Sequence, residues 1–325
     1  MKIGNWKLLN LFQNRKLLLI IFIAIFLALI VLEFVGPNCN KEEEKLVKIE
    51  KGWGSGEVAE KLKSEHLINS KWFFIFYIWV RGYSSHLQAG EYLLNTKMTI
   101  PEISKILTKG ETNPNWVKVT IPEGWTNTQI EERLIALDII KSGEKLPNNK
   151  EGYLFPDTYY FYKNISIADV VKKMEDNFDR KLKEILPAEA REKLGEGGLY
   201  DVLKMASILE KEVISDEDRA IASGIFWKRI KNNYPLESCA TIAYILGTEK
   251  KQYSYEDTRV KSLYNTYINS GLPPTPINNP GLSAIKAALY PKQTDYNFFL
   301  SASDGRTIYA KTLDEHNANK VKYLK

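Results

Sequence analysis

The chain has 325 residues, room for two domains with a core in each. Hydrophobic residues at 44% and charged residues at 26% place it among ordinary globular proteins. The net charge of +5 is concentrated in residues 1–16, which hold Lys2, Lys7, Arg15, Lys16 and no acid; this excludes a nucleic-acid footprint and makes the basic balance a topology signal.

Residues 17–35 are apolar except for Glu33. Such a run rises about 28 Å as a helix, close to a bilayer core of about 30 Å. A cleaved signal peptide fits less well, because the run is too long and Phe34-Val35-Gly36-Pro37 is a poor cleavage site. The reading is a single-pass membrane anchor with residues 1–16 cytoplasmic. Residues 36–46 then form a linker, and everything after the anchor lies outside the cytoplasm. Cys39 and Cys239 are too unlike in setting for a structural disulfide to be expected, and no Cys/His spacing suggests a metal site or cofactor.

Beyond the linker a faint repeat has an offset of 72: Val47-x-Ile49-x-x-Gly52-Trp53 returns as Val119-x-Ile121-x-x-Gly124-Trp125. Each copy predicts a strand, a Gly-Trp turn and an amphipathic helix. Residues 69–81 are aromatic-rich, too short to span a bilayer, and predict a buried helix. Residues 90–94 predict a strand, and residues 99–107 an N-capped helix with proline in its first turn. Domain limits of 47–115 and 116–325 follow.

Residues 142–150 are polar and predict a loop. Residues 151–161 crowd aromatics around Pro156-Asp157. Aromatic faces and acids of this kind either line a sugar-binding cleft or make a buried turn with Asp157 capping backbone amides. Helices are predicted at 167–186, 199–213, 216–231, 240–246 and 283–289. The prolines 273, 274, 276 and 280 impose an extended loop, and a hairpin is expected at 297–310. The fold class is α+β: the membrane helix, a small βα module, and a mostly helical domain with a few strands.

The helix of residues 199–213 ends in Glu210-Lys211-Glu212. The two carboxylates lie roughly 200° apart around the axis, one on each edge of the apolar stripe of Val202 and Leu209. A carboxylate on such an edge can be desolvated towards the pKa of a general acid, or it can simply be solvated at a helix end. The helical wheel does not choose between them.

Four motifs occur in order: Glu151-Gly152-Tyr153-Leu154-Phe155-Pro156-Asp157-Thr158-Tyr159, residues 206–212, Tyr264-Asn265-Thr266-Tyr267, and Gly271-Leu272-Pro273-Pro274 through Asn279-Pro280-Gly281. Together they resemble the YceG-like family of endolytic murein transglycosylases. The resemblance implies a LysM-like module at 47–115, either touching glycan or serving as a spacer. It implies non-hydrolytic cleavage of nascent peptidoglycan glycan strands, with membrane and cell-wall synthases as neighbours and no nucleic acid. It assigns Glu212 as catalytic and Glu210 as a supporting acid or salt-bridge partner. Glu151, Tyr153, Asp157, Asn265, Tyr267 and Asn279 become candidate substrate-binding residues. The family pattern Gln-Ser-Asp-Pro-Thr is replaced here by Glu237-Ser238-Cys239-Ala240-Thr241, and Thr275 stands where a glycine is usual. A silent glycan-binding scaffold and a two-carboxylate muramidase are the alternatives.

Overall fold

The computed structural model describes residues 43–110, 116–248, 250, 253–302 and 305–324, together with residues 21, 22, 25 and 26. These fall into two compact units that divide between Trp116 and Val117.

In the first unit, strand β1 (Glu44–Ile49) pairs antiparallel with β2 (Gly90–Asn95), setting Val47 opposite Tyr92. Helices α1 (Ser55–Ser64), α2 (Lys71–Val80) and α3 (Ile100–Lys109) cover one side. Val47, Ile49, Leu62, Phe74, Ile78, Tyr92, Leu94, Ile103 and Leu107 form the core. The α3 boundaries follow from local chemistry. Thr99 and Glu102 close a capping box, Pro101 sits in the first turn, and Gly110 ends the helix at φ 63°.

One expectation needs correcting here. Helix α2 is not a buried helix: Phe74 and Ile78 are buried, but Trp72 is 73% and Trp79 69% exposed, with Phe76 and Val80 beside them. The helix is apolar all round, and a two-stranded sheet with three helices has only enough surface to cover one side of it.

The expected membrane-crossing helix is also overturned as part of the fold. Among the described residues, no helix is long and apolar enough to cross a membrane. The run at 17–35 lies outside the described residues, save for Ile21, Phe22, Ile25 and Phe26, which are helical and exposed. Cys39 also lies outside them, and Cys239 is a free thiol.

The second unit has two cores. The first lies around a two-stranded sheet of β3 (Trp116–Thr120) and β4 (Thr158–Tyr162), with α4 (Asn127–Ala136) and the first half of α5 (Ile167–Ile185). The two stretches of the repeat share a strand, a left-handed glycine (Gly52 at φ 93°, Gly124 at φ 76°) and a helix. The second core packs α6 (Ala188–Glu212), α7 (Asp216–Lys231), α8 (Cys239–Leu246) and α9 (Leu282–Leu289) against the end of α5. Helix α6 starts earlier than its apolar periodicity indicates. It is two helical stretches joined at Gly195, whose φ of 67° and ψ of 171° lie outside helical space. The hairpin of β5 (Phe298–Ser301) and β6 (Thr307–Ala310) and the helix α10 (Leu313–Tyr323) complete the unit.

The proline-rich segment is laid along α6 by backbone and side-chain bonds. Ile277 N–H donates to Ser207 Oγ at 3.0 Å, and Asn278 Nδ2 donates to the Ser207 carbonyl at 2.7 Å. Its end reaches the other core. Asn279 N–H donates to the Trp125 carbonyl, and Gly124 N–H donates back to the Asn279 carbonyl, both at 2.9 Å.

Candidate active site

Glu212 is the last residue of α6, so its side chain leaves the helix where the backbone ends. It meets the start of α8. Glu212 Oε1 accepts from Ser238 Oγ at 2.5 Å and from Ala240 N–H at 3.1 Å. Ser238 is the N-cap of α8, but its hydroxyl makes no bond to its own helix. A carboxylate from α6 therefore takes the place that a capping side chain ordinarily fills, against the positive end of the helix dipole. Burial pushes the Glu212 carboxyl up, against the opposing pull of Ser238, the amides of Ala240 and Cys239, and Arg229.

Glu210 points elsewhere, as the wheel requires. Its Oε1 accepts from Arg219 Nη2 at 2.9 Å and its Oε2 from Gly281 N–H at 2.8 Å. Both members of the ion pair are nearly buried, at 9% and 6% side-chain exposure. Glu210 thus ties α6 to α7 and to the start of α9. Burial, then the nearby Glu210 charge, pushes Glu123 up.

The other expected residues separate into three groups. Tyr267 comes to the Glu212 end: its hydroxyl lies 3.1 Å from Cys239 Sγ, beside Ala240. Burial first, then Cys239 and the Glu212 charge, push its phenol up, so it stays a neutral donor. Glu151 and Asn279 come together with the start of α4. Asn127 N–H donates to Glu151 Oε1 at 3.1 Å, and Asn279 Nδ2 lies 3.5 Å from the same oxygen. Burial pushes the Glu151 carboxyl up to about 7. Asn279 Oδ1 accepts from Gly152 N–H at 2.8 Å and Leu154 N–H at 3.0 Å.

The remaining three are tied into the scaffold. Asn265 is fully buried and donates to the carbonyls of Thr258 and Val260 at 3.0 and 2.8 Å. Asp157 Oδ1 accepts from Thr158 N–H at 2.8 Å and its Oδ2 from Asn177 Nδ2 at 3.1 Å. Tyr153 has Phe178 edge-on at 5.4 Å and Tyr200 stacked at 6.2 Å.

Glu212 is desolvated, bonded by neutral donors and in none of the described ion pairs; Glu151 shares those properties but sits with Asn127 and Asn279, away from Tyr267 and the start of α8. That is the equipment of a group that gives up a proton and takes one back. Among the described residues no cluster could hold a metal ion.

The model of the YceG-like family matches residues 47–322, most of the chain. The chain belongs to the YceG-like family. It is 34% identical over 308 residues to a protein of Bacillus subtilis (strain 168) named endolytic murein transglycosylase, covering 86% of this chain and 84% of that one. A protein of the same name from Streptococcus pneumoniae serotype 2 is 28% identical; the match covers 88% of this chain and 60% of that longer relative. A crystal structure of a YceG-like protein from Listeria monocytogenes aligns at a TM-score of 0.53 and 31% identity, covering 86% of this chain and 99% of that one.

Within this YceG-like chain the sequence reading passed over Ser238, Arg219 and Arg229. A serine before an apolar helix signals an N-cap, but nothing in sequence shows that its hydroxyl turns to another helix. Arg229 reaches the carbonyl of Leu236 at 2.7 Å and lies over Phe298 at 5.4 Å. Only tertiary contact reveals it.

Proposed function

We propose that the protein is an endolytic lytic transglycosylase that cleaves the β-1,4 bond between N-acetylmuramic acid and N-acetylglucosamine in murein. The desolvated Glu212 carboxyl at the start of α8, in none of the described ion pairs, carries the reading. Glu212 gives its proton to the glycosidic oxygen as the C1–O bond breaks. The resulting carboxylate takes the proton of the muramyl 6-hydroxyl, whose oxygen bonds to C1. The products are a free 4-hydroxyl end and a 1,6-anhydro end. No water is consumed, and Glu212 finishes protonated, as it began. Tyr267 is the candidate neutral donor beside it.

A two-carboxylate hydrolase would need a second acid across the bond. Asp157 and Glu151 were the candidates; Asp157 is bonded to Thr158 N–H and Asn177, and Glu151 to Asn127 N–H, whereas Glu212 is bonded to Ser238 and Ala240. A silent scaffold would bury both glutamates in ion pairs, whereas only Glu210 is in one among the described ion pairs.

The first unit is read as a LysM-like module accompanying this catalytic unit. Because murein lies beyond the cytoplasm, the catalytic unit is expected to work there, beside the synthases that supply nascent strands. A C-terminal reporter should be active only outside the cytoplasm; cytoplasmic activity would overturn that placement.

The test of the reaction is product analysis by mass spectrometry. Wild type should yield anhydro ends. Glu212→Gln should fold and lose them by about 10²–10⁴-fold, the usual worth of a general acid–base group. Glu210→Gln should lose less activity at temperatures where it is folded. Reducing ends from the wild type would make the enzyme a hydrolase.

A further inference from the structure

Glu212 is held by a residue with no assigned role. Ser238 Oγ lies 2.5 Å from Glu212 Oε1, and Ser238 is 2% exposed. The serine is itself held at both its N–H and its carbonyl. Its N–H donates to Thr266 Oγ1 at 3.0 Å, its carbonyl accepts from Thr241 Oγ1 at 2.8 Å, and those two hydroxyls lie 3.0 Å apart. Thr241 and Thr266 are buried as well. The backbone of Ser238 can hardly move, so its hydroxyl is a fixed point. Ala240 N–H meets the same Glu212 oxygen at 3.1 Å.

A carboxyl group with one oxygen committed to two donors works with the other. We propose that Ser238 is a positioning residue for Glu212: it anchors Oε1, so that Oε2 is the atom that carries the proton to the glycosidic oxygen and accepts the one from the 6-hydroxyl. This rests on the transglycosylase reading. Ser238 also bonds the ionised form that exists between the two proton transfers. A hydrogen bond to a charged group is about twice as strong as one between neutral groups, so the bond tightens at the step where the negative charge appears.

The other titratable or charged groups around Glu212 come from three elements. They are Arg229 on α7, Cys239 on α8 and Tyr267 in the segment after α8. Burial pushes the thiol and the phenol up, so both stay protonated where Glu212 titrates. Removing the Ser238 hydroxyl takes away a bond that favours the carboxylate. The Glu212 pKa must then rise, and the alkaline limb of kcat/KM must move to higher pH.

The experiment compares Ser238→Ala and Ser238→Thr with wild type in two readouts. The first is kcat, KM and the pH profile on glycan strands. The second is the carboxyl carbon resonance of Glu212 followed by NMR against pH, assigned by its loss in Glu212→Gln. Ser238→Ala should lower kcat on the order of tenfold or more with KM nearly unchanged. Both the alkaline limb and the Glu212 titration should move up in pH. Ser238→Thr keeps the hydroxyl and should recover most of the loss. If Ser238→Ala does not fold, Ser238→Cys replaces the donor by a weak S–H and carries the same test. A folded variant with an unmoved Glu212 titration overturns the proposal. A titration that moves while wild type releases no anhydro ends leaves the positioning intact and removes the transglycosylase reading instead.

Discussion

Single side chains in this protein do work that their neighbours in sequence do not suggest. Glu210 and Glu212 are two residues apart and of one chemical type. One is spent holding three helices through Arg219 and Gly281; the other faces neutral donors. Glu151 shows how burial converts into pH dependence. Its carboxyl is pushed from the ordinary 4.5 up to about 7 by burial, so the folded state holds a proton that the unfolded chain releases across that interval. The sign follows: this contribution is fully present below pH 4.5 and is lost as pH rises through 7, on the order of 3 kcal/mol across the window. Glu151→Gln keeps an oxygen for Asn127 N–H and has no proton to lose. Thermal melts at pH 5 and pH 8 should therefore differ less in the variant than in wild type. An equal fall in melting temperature in both proteins would place the pH sensitivity elsewhere.

Among the secondary-structure elements, close approach matters as much as periodicity. Gly224 lies in the middle of α7, where alanine would ordinarily be worth about 1 kcal/mol more than glycine. A Cβ there would lie 2.0 Å from the Lys292 carbonyl oxygen, and that strand of backbone is fixed by Lys292 N–H donating to the Ala220 carbonyl at 2.9 Å. The obstacle is backbone, so it cannot swing aside. Overpacking of this kind costs about 1–3 kcal/mol and outweighs the gain in helix propensity. Gly224→Ala should lower the midpoint of denaturant unfolding with an unchanged slope; a raised midpoint would show that the 290s segment yields. The exposed side of α2 makes the contrasting point. Its aromatic density reads as a core helix, yet Trp72 and Trp79 stand in solvent. Periodicity reports which residues are apolar, not how much surface the rest of the unit has to cover them.

For the molecule as a whole, what was legible in the sequence was what local chemistry decides. The capped start of α3 with its proline, the helix limits of α5, α7 and α8 and the β5–β6 hairpin could all be read from neighbouring residues. The divergence of Glu210 and Glu212 follows from helical geometry alone. What escaped was set by distant contact: the diversion of Ser238 towards α6, the identity of Arg219 as the partner of Glu210, and the bonds that Asn265 and Asn279 make to loop backbone. The membrane-crossing helix read from residues 17–35 has no counterpart among the described helices. The segment running from Ile277 to Gly281 carries a further consequence. It bonds to Ser207 and Glu210 in one core and to Trp125, Gly152 and Leu154 in the other. Contacts so far apart along the chain close late, because the entropy of the intervening loop must be met first. A growing polypeptide that already contains Ser207 and Glu210 in one core and Trp125 and Gly152 in the other still lacks the strap that ties the two together. The bonds by which this segment stitches the two cores together can therefore form only once residues 277–281 have been made.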